Sequence, residues 1–268
     1  MLKHAALVAV LAHLRKKDAP FAVIDAHAGR GVYDLSSAEA NKTGEARSGI
    51  VRVLAETGLP DPLPLYCQIV RGFGDAHYPG SPLIAARLLR RQDRLVAIEK
   101  HPEEFAALAA TLAGIKNVRA VEGDYRAQMK KLLPPPERRG VVLIDPPYEA
   151  EDEFIDAARA LIASWRRFAT GIYLLWYPAK HRPSVDAAAG ELLHAGIASL
   201  LRLELDIDGV SEARGEGRGP PMTATGLLVV NAPYGLADQM NVALRRLVPL
   251  LGRGRDASAS VKVLAGEP

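Results

Sequence analysis

The sequence predicts an α/β fold built on a mainly parallel sheet with helices on both faces. Short strand-sized apolar runs alternate along the chain with helix-sized stretches, which is typical of parallel sheets. Four of these runs end in acidic or glycine-rich turns, and they cover residues 21–24, 95–98, 118–121 and 141–144. Ligands bind beyond the carboxyl ends of strands in such sheets. We therefore expect the acidic residues after these strands to converge on one crevice.

Three further strands complete a predicted seven-stranded sheet. They are expected at residues 171–176, 201–207 and 224–231. Helices are expected at the N-terminus and at residues 151–168, 183–195 and 236–250. The chain after the last helix is predicted to be a polar tail. Residues 209–221 contain so many glycines and prolines that we expect an exposed, mobile loop there.

The first two strand ends lie unusually far apart. Asp25 and Glu99 are separated by 74 positions, whereas a plain βαβ unit needs about 20 to 30. The intervening chain contains three helical patterns, at residues 40–56, 63–72 and 82–90, interrupted by proline-rich turns. We predict a single domain over residues 1–268, with a small helical subdomain inserted at about residues 35–93.

Composition excludes several classes of protein. The 268 residues are 49% hydrophobic and 24% charged, with a mean hydropathy of +0.01, and no apolar run is long enough to span a membrane. A single cysteine, Cys67, forms neither an internal disulfide nor a cysteine-rich zinc site. The histidines show no metal-binding spacing, so no metal is expected. Hydrolase elbows and P-loops are also absent from the sequence. The cytoplasm is the expected compartment.

The charge of the chain is weakly basic and unevenly distributed. Lys and Arg number 34 against 31 Asp and Glu, for a net charge of +3. Residues 85–139 hold twelve Lys/Arg against seven Asp/Glu. This excess predicts a candidate RNA surface beside the pocket, although solvated helix faces would produce the same pattern.

The most specific motif is Asp-Pro-Pro-Tyr, at Asp145, Pro146, Pro147 and Tyr148, directly after a hydrophobic strand. It is also a plausible end to a strand, since proline interrupts the ladder. In a functional reading, the Asp145 carboxylate and the Pro146 carbonyl accept the N–H bonds of an exocyclic base amine and stabilise its developing positive charge. The prolines stiffen the loop, and Tyr148 offers a ring on which an extruded base stacks. The electrophile would be the methyl group of S-adenosylmethionine.

The turns after the first three strands supply candidate cofactor contacts. Gly29 and Gly31 form a Gly-x-Gly turn that lets the backbone approach a ligand closely, but the third glycine of the dinucleotide fingerprint is missing. Glu99 stands where an acid holds ribose hydroxyls in Rossmann-like sites. Gly123 and Asp124 are placed to meet the adenine of a cofactor. Each acid, taken alone, is also explained as a solvated turn residue.

Several blocks together resemble the bacterial RlmJ-type 23S ribosomal RNA adenine-N6 methyltransferases. They are Asp-Ala-His-Ala-Gly-Arg-Gly, His-Tyr-Pro-Gly-Ser-Pro-Leu-Ile-Ala, Glu-Lys-His-Pro, Asp-Pro-Pro-Tyr-Glu, Arg-Phe-Ala-Thr-Gly-Ile-Tyr-Leu-Leu-Trp-Tyr-Pro and Met-Thr-Ala-Thr-Gly-Leu. The resemblance spans nearly the whole chain in order and spacing. It implies a Rossmann-like Class I methyltransferase fold that uses S-adenosylmethionine to methylate one adenine of 23S ribosomal RNA.

The resemblance also implies roles for individual residues. Asp145 would be the catalytic acceptor, with Pro146, Pro147 and Tyr148 completing the clamp on the base. The implied cofactor contacts are His4, His27, Gly29, Ser81, Glu99, Gly123, Asp124 and Asp145. Lys3 belongs to the Lys-His pair of the family's N-terminal motif and is a candidate RNA contact, with Arg214 and Arg218 of the glycine-rich loop reaching phosphates.

The family's N-terminus usually extends further, with a segment that helps close the cofactor pocket and touches RNA. An alternative start or a shortened chain would explain the difference, and weaker activity is then expected.

The substrate RNA is expected to be protein-free or early in assembly, and the enzyme to be a monomer without a membrane partner. Other amine acceptors remain open, namely N4 of cytosine and N2 of guanine, as does an inert RNA-binding protein on the same scaffold. Duplex DNA is a poorer substrate because no target-recognition domain is evident.

Overall fold

The computed structural model describes residues 1–36, 49–148, 153–179, 182–208 and 224–266. Its main sheet has eight strands in the order β10-β8-β9-β7-β6-β1-β4-β5. The strands are β1 (Ala22–Asp25), β4 (Arg94–Glu99), β5 (Val118–Glu122), β6 (Gly140–Ile144), β7 (Ile172–Pro178), β8 (Leu200–Asp206), β9 (Ala224–Val230) and β10 (Ser258–Ala265). A small antiparallel pair is formed by β2 (Val32–Asp34) and β3 (His77–Pro79).

Helices cover both faces of the main sheet. In chain order they are α1 (Leu2–Arg15), α2 (Ile50–Leu54), α3 (Leu63–Arg71), α4 (Ser81–Ala86), α5 (Pro102–Leu112), α6 (Tyr125–Leu132), α7 (Glu153–Arg167), α8 (Arg182–His194) and α9 (Leu236–Leu251). One core contains the buried sides of α1, α3 and α9. The core on the opposite face contains those of α6, α7 and α8. The α/β prediction, with a mainly parallel sheet, is confirmed.

The predicted number of strands is wrong by one. Strands β7, β6, β1, β4 and β5 run parallel, while β9, β8 and β10 are joined by antiparallel pairing. The extra strand is β10, which pairs with β8 in the segment expected to be a polar tail. Its sequence alternates small or polar side chains with apolar ones, and Ala259 and Val261 pack on the core. This period of two is the pattern of an edge strand with one solvated face.

The chain between β1 and β4 packs against the main sheet and α1. Strand β3 pairs with β2, and the backbone N–H of Gly80 donates to the carbonyl of Gly31 over 2.7 Å. The apolar side chains of α3 and α4 join the core beneath α1. Helix α4 ends at Ala86, before the predicted limit of residue 90. Much of the helix expected at 40–56 lies outside the described residues, and its described part is α2.

None of the helices in the described ranges is long and apolar enough to cross a membrane.

Candidate active site

The carboxyl ends of β1, β4, β5 and β6 lie together at one edge of the sheet. Their parallel register pairs Asp25 with Ala97 and Leu143, and Glu99 with Glu122. Asp145 follows the last residue of β6. Parallel strands bring residues distant in sequence to one edge, so the predicted convergence of acidic residues occurs.

Lys3 reaches this edge from the first turn of α1. Its ammonium forms a salt bridge and hydrogen bond with Oδ2 of Asp145, and each side chain is 18% exposed. Burial lowers the pKa of Lys3, but the charge and hydrogen bond of Asp145 outweigh burial and raise it above its ordinary value. The cation is therefore held next to the carboxylate that sequence reasoning singled out for catalysis. Lys3, which the resemblance marks as a candidate RNA contact, contacts Asp145 at this edge of the sheet.

His27 holds the backbone of the Asp-Pro-Pro-Tyr loop. The N–H of Asp145 donates to Nδ1 of His27 over 3.2 Å, and the imidazole lies 4.3 Å from the Tyr125 ring, centroid to centroid. Burial, followed by the charge of Lys3, lowers the pKa of His27 to about 3. The imidazole is therefore neutral near pH 7. Because Nδ1 accepts a hydrogen bond, its proton resides on Nε2.

Tyr148 closes the same loop in a left-handed conformation, with φ of 56°. Its hydroxyl donates to the carbonyl of Trp176 near the end of β7. Its ring lies 5.8 Å from the ring centroids of both Phe154 and Trp176. Burial raises the pKa of Tyr148 well above its ordinary value, so the phenol remains protonated. Pro146 is buried and Pro147 is exposed. The loop is thus anchored at its two ends, by His27 and by Trp176.

Asp25 is a buried carboxyl group with incomplete hydrogen bonding. It is 1% exposed, Oδ1 accepts from the N–H of His27 over 3.4 Å, and Oδ2 has no partner among the described residues. Burial raises the pKa of Asp25 to about 6, against the opposing effects of the Ser81 hydroxyl and the Lys3 charge. An orphaned buried carboxylate oxygen is costly. A cationic group of a ligand would offset that cost.

His4 is a second buried group with an unmatched atom. Its Nδ1 is 2.7 Å from the hydroxyl of Tyr78, which is itself 2.7 Å from the hydroxyl of Tyr66. His4 Nε2 is buried without a partner in the described parts of the chain. Burial lowers the pKa of His4 well below its ordinary value. The neutral imidazole of His4 therefore has one ring nitrogen, Nε2, available for a hydrogen bond to a ligand.

The Gly-x-Gly turn is shaped by Glu99. One carboxylate oxygen accepts the N–H of Gly29 over 2.8 Å, and the other accepts those of Lys100 and His101, also over 2.8 Å. Gly29 has φ of 59°, and an added Cβ would lie 2.5 Å from the hydroxyl of Tyr33. Glycine is therefore needed at this position, both for the backbone conformation and for the space.

Gly123 and Asp124 follow β5 at the same edge. The N–H of Gly123 donates to the carbonyl of Glu99 over 2.9 Å, and its φ is 135°. Oδ1 of Asp124 caps α6 by accepting the N–H groups of Arg126 and Ala127. Oδ1 of Asp124 therefore caps the helix, and its second oxygen is available to a ligand.

The pocket contains residues that sequence reasoning missed. Tyr33 and Tyr78 come from the β2–β3 pair, and Trp176 comes from β7. Only the tertiary structure brings Tyr33 close to Asp145, Tyr78 against His4 and Trp176 against Tyr148, although the block His-Tyr-Pro-Gly-Ser-Pro already marked Tyr78. Arg214 and Arg218 lie outside the described residues.

The basic segment, residues 85–139, does not lie beside Asp145 as its sequence predicted. Most of the basic residues between 85 and 139 lie before β4, β5 and β6, at the edge of the sheet opposite Asp145. The expectation that they lie beside the pocket is wrong, because turns that enter parallel strands are separated from the carboxyl ends by the length of the strand.

The donor set fits S-adenosylmethionine in chemical type. The orphaned Asp25 oxygen suits a ligand ammonium, and the positive-φ glycines allow close backbone approach. Oε2 of Glu99, which accepts only the N–H of Gly29, can accept one hydroxyl as well. His4 Nε2 offers one more polar contact. Among the described residues, no group of three or more His, Cys, Asp or Glu is arranged to hold a metal ion.

Comparisons with known proteins give one consistent result. The family described as "Ribosomal RNA large subunit methyltransferase D, RlmJ" matches residues 18–262. The chain is 39% identical over 257 residues to Ribosomal RNA large subunit methyltransferase J of Escherichia coli (strain K12), covering 93% of this chain and 90% of that protein. The protein of the same name from Haemophilus influenzae is 40% identical over 256 residues, with 94% and 89% covered.

A solved structure is also similar over nearly the full chain. The crystal structure of a Legionella pneumophila protein superimposes with a TM-score of 0.87 at 30% sequence identity, covering 98% of this chain and 95% of that one.

Proposed function

The chain belongs to the RlmJ family of ribosomal RNA large subunit methyltransferases, and from this premise we propose that it methylates the exocyclic N6 amine of one adenine in 23S ribosomal RNA. The observation that supports this most is the ion-paired carboxylate of Asp145, on a loop anchored by His27 and Tyr148. The methyl donor is S-adenosylmethionine, which supplies an electrophilic methyl group on a sulfonium centre. We expect no metal ion to take part, because the histidine spacing in the sequence matches no metal-binding motif.

The loop at Asp145 is suited to bind an amine rather than a hydroxyl. An exocyclic amine has two N–H donors, and the Asp145 carboxylate and the Pro146 carbonyl are two acceptors in adjacent residues. Accepting both N–H bonds orients the nitrogen and stabilises the positive charge that develops as the N–C bond forms. The base stacks on the ring of Tyr148, with Pro147 at the exposed side of the loop.

The cofactor is held mainly by residues in the turns after β1, β4 and β5. Asp25, with its unpartnered oxygen, binds the amino group of the methionine portion, and Ser81 and His4 lie close to the same region. Glu99 binds ribose hydroxyls, while Gly29 allows backbone approach and Gly123 and Asp124 meet the adenine. The described part of the inserted chain, residues 49–93, supplies Tyr78 beside His4 and Ser81 beside Asp25.

Lys3 is paired with the Asp145 carboxylate before the substrate binds. When the amine binds, it competes with the ammonium of Lys3 for Oδ2 of Asp145. With S-adenosylmethionine bound, the methyl group would pass from sulfur to N6, the bonding pair would stay on sulfur, and N6 would lose its proton to Asp145 or to water. No strong general base is required, because the alkylated nitrogen is acidic.

The reaction is tested with labelled S-adenosylmethionine and protein-free fragments of 23S ribosomal RNA, followed by nucleoside analysis. We expect label in N6-methyladenosine. Label in N4-methylcytosine or N2-methylguanosine, or in DNA alone, would contradict the proposed base. Absence of S-adenosylmethionine binding in calorimetry would favour an inert RNA-binding protein instead.

Two further measurements address the state of the substrate and of the enzyme. Comparing the methylation of bare RNA with that of assembled subunits tests whether the substrate is protein-free. Light scattering measures the molar mass in solution and tests whether the enzyme is a monomer.

Asp145→Asn is the sharpest variant for the catalytic role. It keeps the shape of the side chain but removes the charge, and we expect the methylation rate to fall by at least about 100-fold, as for loss of a preorganised electrostatic contact. Asp256→Asn, at an exposed carboxylate in the turn between α9 and β10, is the matched control. Cofactor affinity should remain nearly unchanged in both. A substantial rate in Asp145→Asn would exclude the role.

A further inference from the structure

The edge of the sheet opposite Asp145 concentrates the positive charge of the protein. The chain segments that enter β1, β4, β5, β6 and β7 are residues 15–21, 90–94, 116–119, 130–139 and 166–171. They contain 14 of the 34 Lys and Arg residues but only three of the 31 Asp and Glu residues. The remainder of the chain has 20 basic and 28 acidic residues. This surface, which we call the basic edge, therefore has a charge opposite to that of the rest of the molecule.

Hydrogen bonds join these segments into one continuous surface. Arg90 donates to the carbonyls of Lys17 and Ala19 over 2.8 and 3.0 Å. Arg139 donates to the carbonyls of Ala19 and Leu14 over 2.9 and 2.6 Å. The guanidinium groups of Arg90 and Arg139 both lie against the ring of Phe21. The segments that precede β1, β4 and β6 are thus fixed against one another.

Several cations on this edge have no anionic partner among the residues that the structure describes. The three acids present are Asp18, Asp93 and Glu137; Asp93 pairs with Arg90, and Glu137 pairs with Arg94. The exposed side chains without an ion pair in the described parts of the chain include Lys16, Lys17, Arg91, Lys116, Arg119 and Arg138. Their mutual repulsion is reduced only by solvent and salt, so a polyanion would gain both attraction and counterion release.

The basic edge is also concave. An open depression of about 390 Å³ is lined by Arg91, Arg94, Asn117, Arg119 and Glu137, among others. The Asn117 side chain donates to the Arg91 carbonyl, which links the turn before β4 to the turn before β5. The two acids of the depression, Asp93 and Glu137, are paired with Arg90 and Arg94. Arg91 and Arg119 at its border have no ion pair in the described parts of the chain, and guanidinium binds phosphate in a planar, bidentate geometry.

We propose that the basic edge is a second RNA-docking surface, which binds the phosphate backbone of the substrate RNA away from the target base. This inference rests on the proposed function for the choice of RNA as the polyanion. Strand β4 has six residues, so at about 3.3 Å per residue the two edges are separated by roughly 17 Å of strand. The basic edge contacts RNA that flanks the target, whereas the loop at Asp145 receives only the target base. It supplies affinity without reading sequence.

The test compares two triple variants in the full chain. Arg91→Gln, Lys116→Gln and Arg119→Gln remove three exposed cations from the basic edge. Arg245→Gln, Arg255→Gln and Lys262→Gln remove the same charge from exposed positions on and after α9 and on β10. Binding of a long 23S ribosomal RNA fragment is measured by fluorescence anisotropy over a range of salt concentrations. Circular dichroism melting confirms that both variants are folded.

For the basic-edge variant, we expect the slope of log Kd against log salt concentration to become shallower by about two to three, from three lost phosphate contacts. KM for the long RNA should rise by about tenfold with kcat unchanged. A short single-stranded oligonucleotide that reaches only the pocket should show no change. The control variant should match the wild type. Equal slopes in the two variants would overturn the proposal.

The proposed function and this inference fail in different ways. If the wild-type protein binds the fragment but methylates no adenine, the proposed function fails while the anisotropy comparison still decides the docking surface. If methylation of the long RNA is intact and equal in both triple variants, the docking surface fails and the proposed function stands.

Discussion

Lys3 and Asp145 form an ion pair between the first turn of the first helix and the loop after β6, although 142 positions separate them in sequence. Neither residue is fully exposed, so the pair is screened by solvent less than a surface pair. The pairing makes the N-terminal helix a part of the candidate active site.

Replacing Lys3 with Met should slow methyl transfer by at least about tenfold, because the half-buried carboxylate loses its cation and its hydrogen bond. Lys3→Arg should recover part of the rate, since it restores the charge. Single-turnover kinetics with saturating cofactor measure the effect. Lys100→Met, at an exposed position of the same edge, is the control and should act as the wild type. A Lys3→Met variant with wild-type kinetics would show that the ion pair has no catalytic consequence.

Asp25 should make the stability of the cofactor-free protein depend on pH. Because burial raises its pKa from 3.8 to about 6, the folded chain keeps a proton that the unfolded chain has lost between these values. The stability associated with this group is present below pH 4 and is lost as pH rises to 6, by up to about 3 kcal/mol. Asp25→Asn should remove this loss.

Urea unfolding of the wild type and of Asp25→Asn at pH 4.5 and pH 7.5 measures the effect. We expect the variant to gain stability relative to the wild type at the higher pH, while its affinity for S-adenosylmethionine falls. If the difference between the two proteins is the same at both pH values, the Asp25 carboxyl does not titrate in this range.

Tyr148 should contribute to binding of the base mainly through its ring. Tyr148→Ala removes the stacking surface, which is worth about 1–3 kcal/mol per base, so KM for RNA should rise by about tenfold or more. Tyr148→Phe keeps the ring and loses only the bond to the Trp176 carbonyl, so its effect should be much smaller. Steady-state kinetics measure both. Tyr234→Ala, at a ring that is 92% exposed, is the control. Equal defects in the Phe and Ala variants would assign the role to the hydroxyl.

Gly29→Ala should weaken cofactor binding. The new methyl group would lie 2.5 Å from the Tyr33 hydroxyl at a φ of 59°, and the turn held by Glu99 would have to move. Gly190→Ala is a matched control in α8, where an added Cβ meets nothing within 4 Å. That change should stabilise the helix by about 0.5–1 kcal/mol. Calorimetric titration with S-adenosylmethionine checks both, and unchanged affinity in Gly29→Ala would show that the turn does not contact the cofactor.

Local sequence was sufficient to locate most of the sheet and the turns that carry Asp25, Glu99 and Asp145. Apolar runs of strand length that end in polar turns are a local signal, and parallel strands bring their carboxyl ends to one edge by geometry. Strand β10 was missed because only Val261, Val263 and Leu264 among its eight residues are large and apolar and none of the eight is fully buried, a composition that a polar tail shares.

The sequence by itself determined the α/β class, the strand ends and the Asp-Pro-Pro-Tyr loop, because hydrophobic period and proline placement act over a few residues. Only the tertiary structure decided that Lys3 neutralises Asp145, that Tyr78 and Ser81 join the pocket, and that the basic segment faces away from it. These relationships join residues that are distant in sequence. They depend on the direction of each strand and on how α1 and the inserted chain pack against the sheet, which no local pattern encodes.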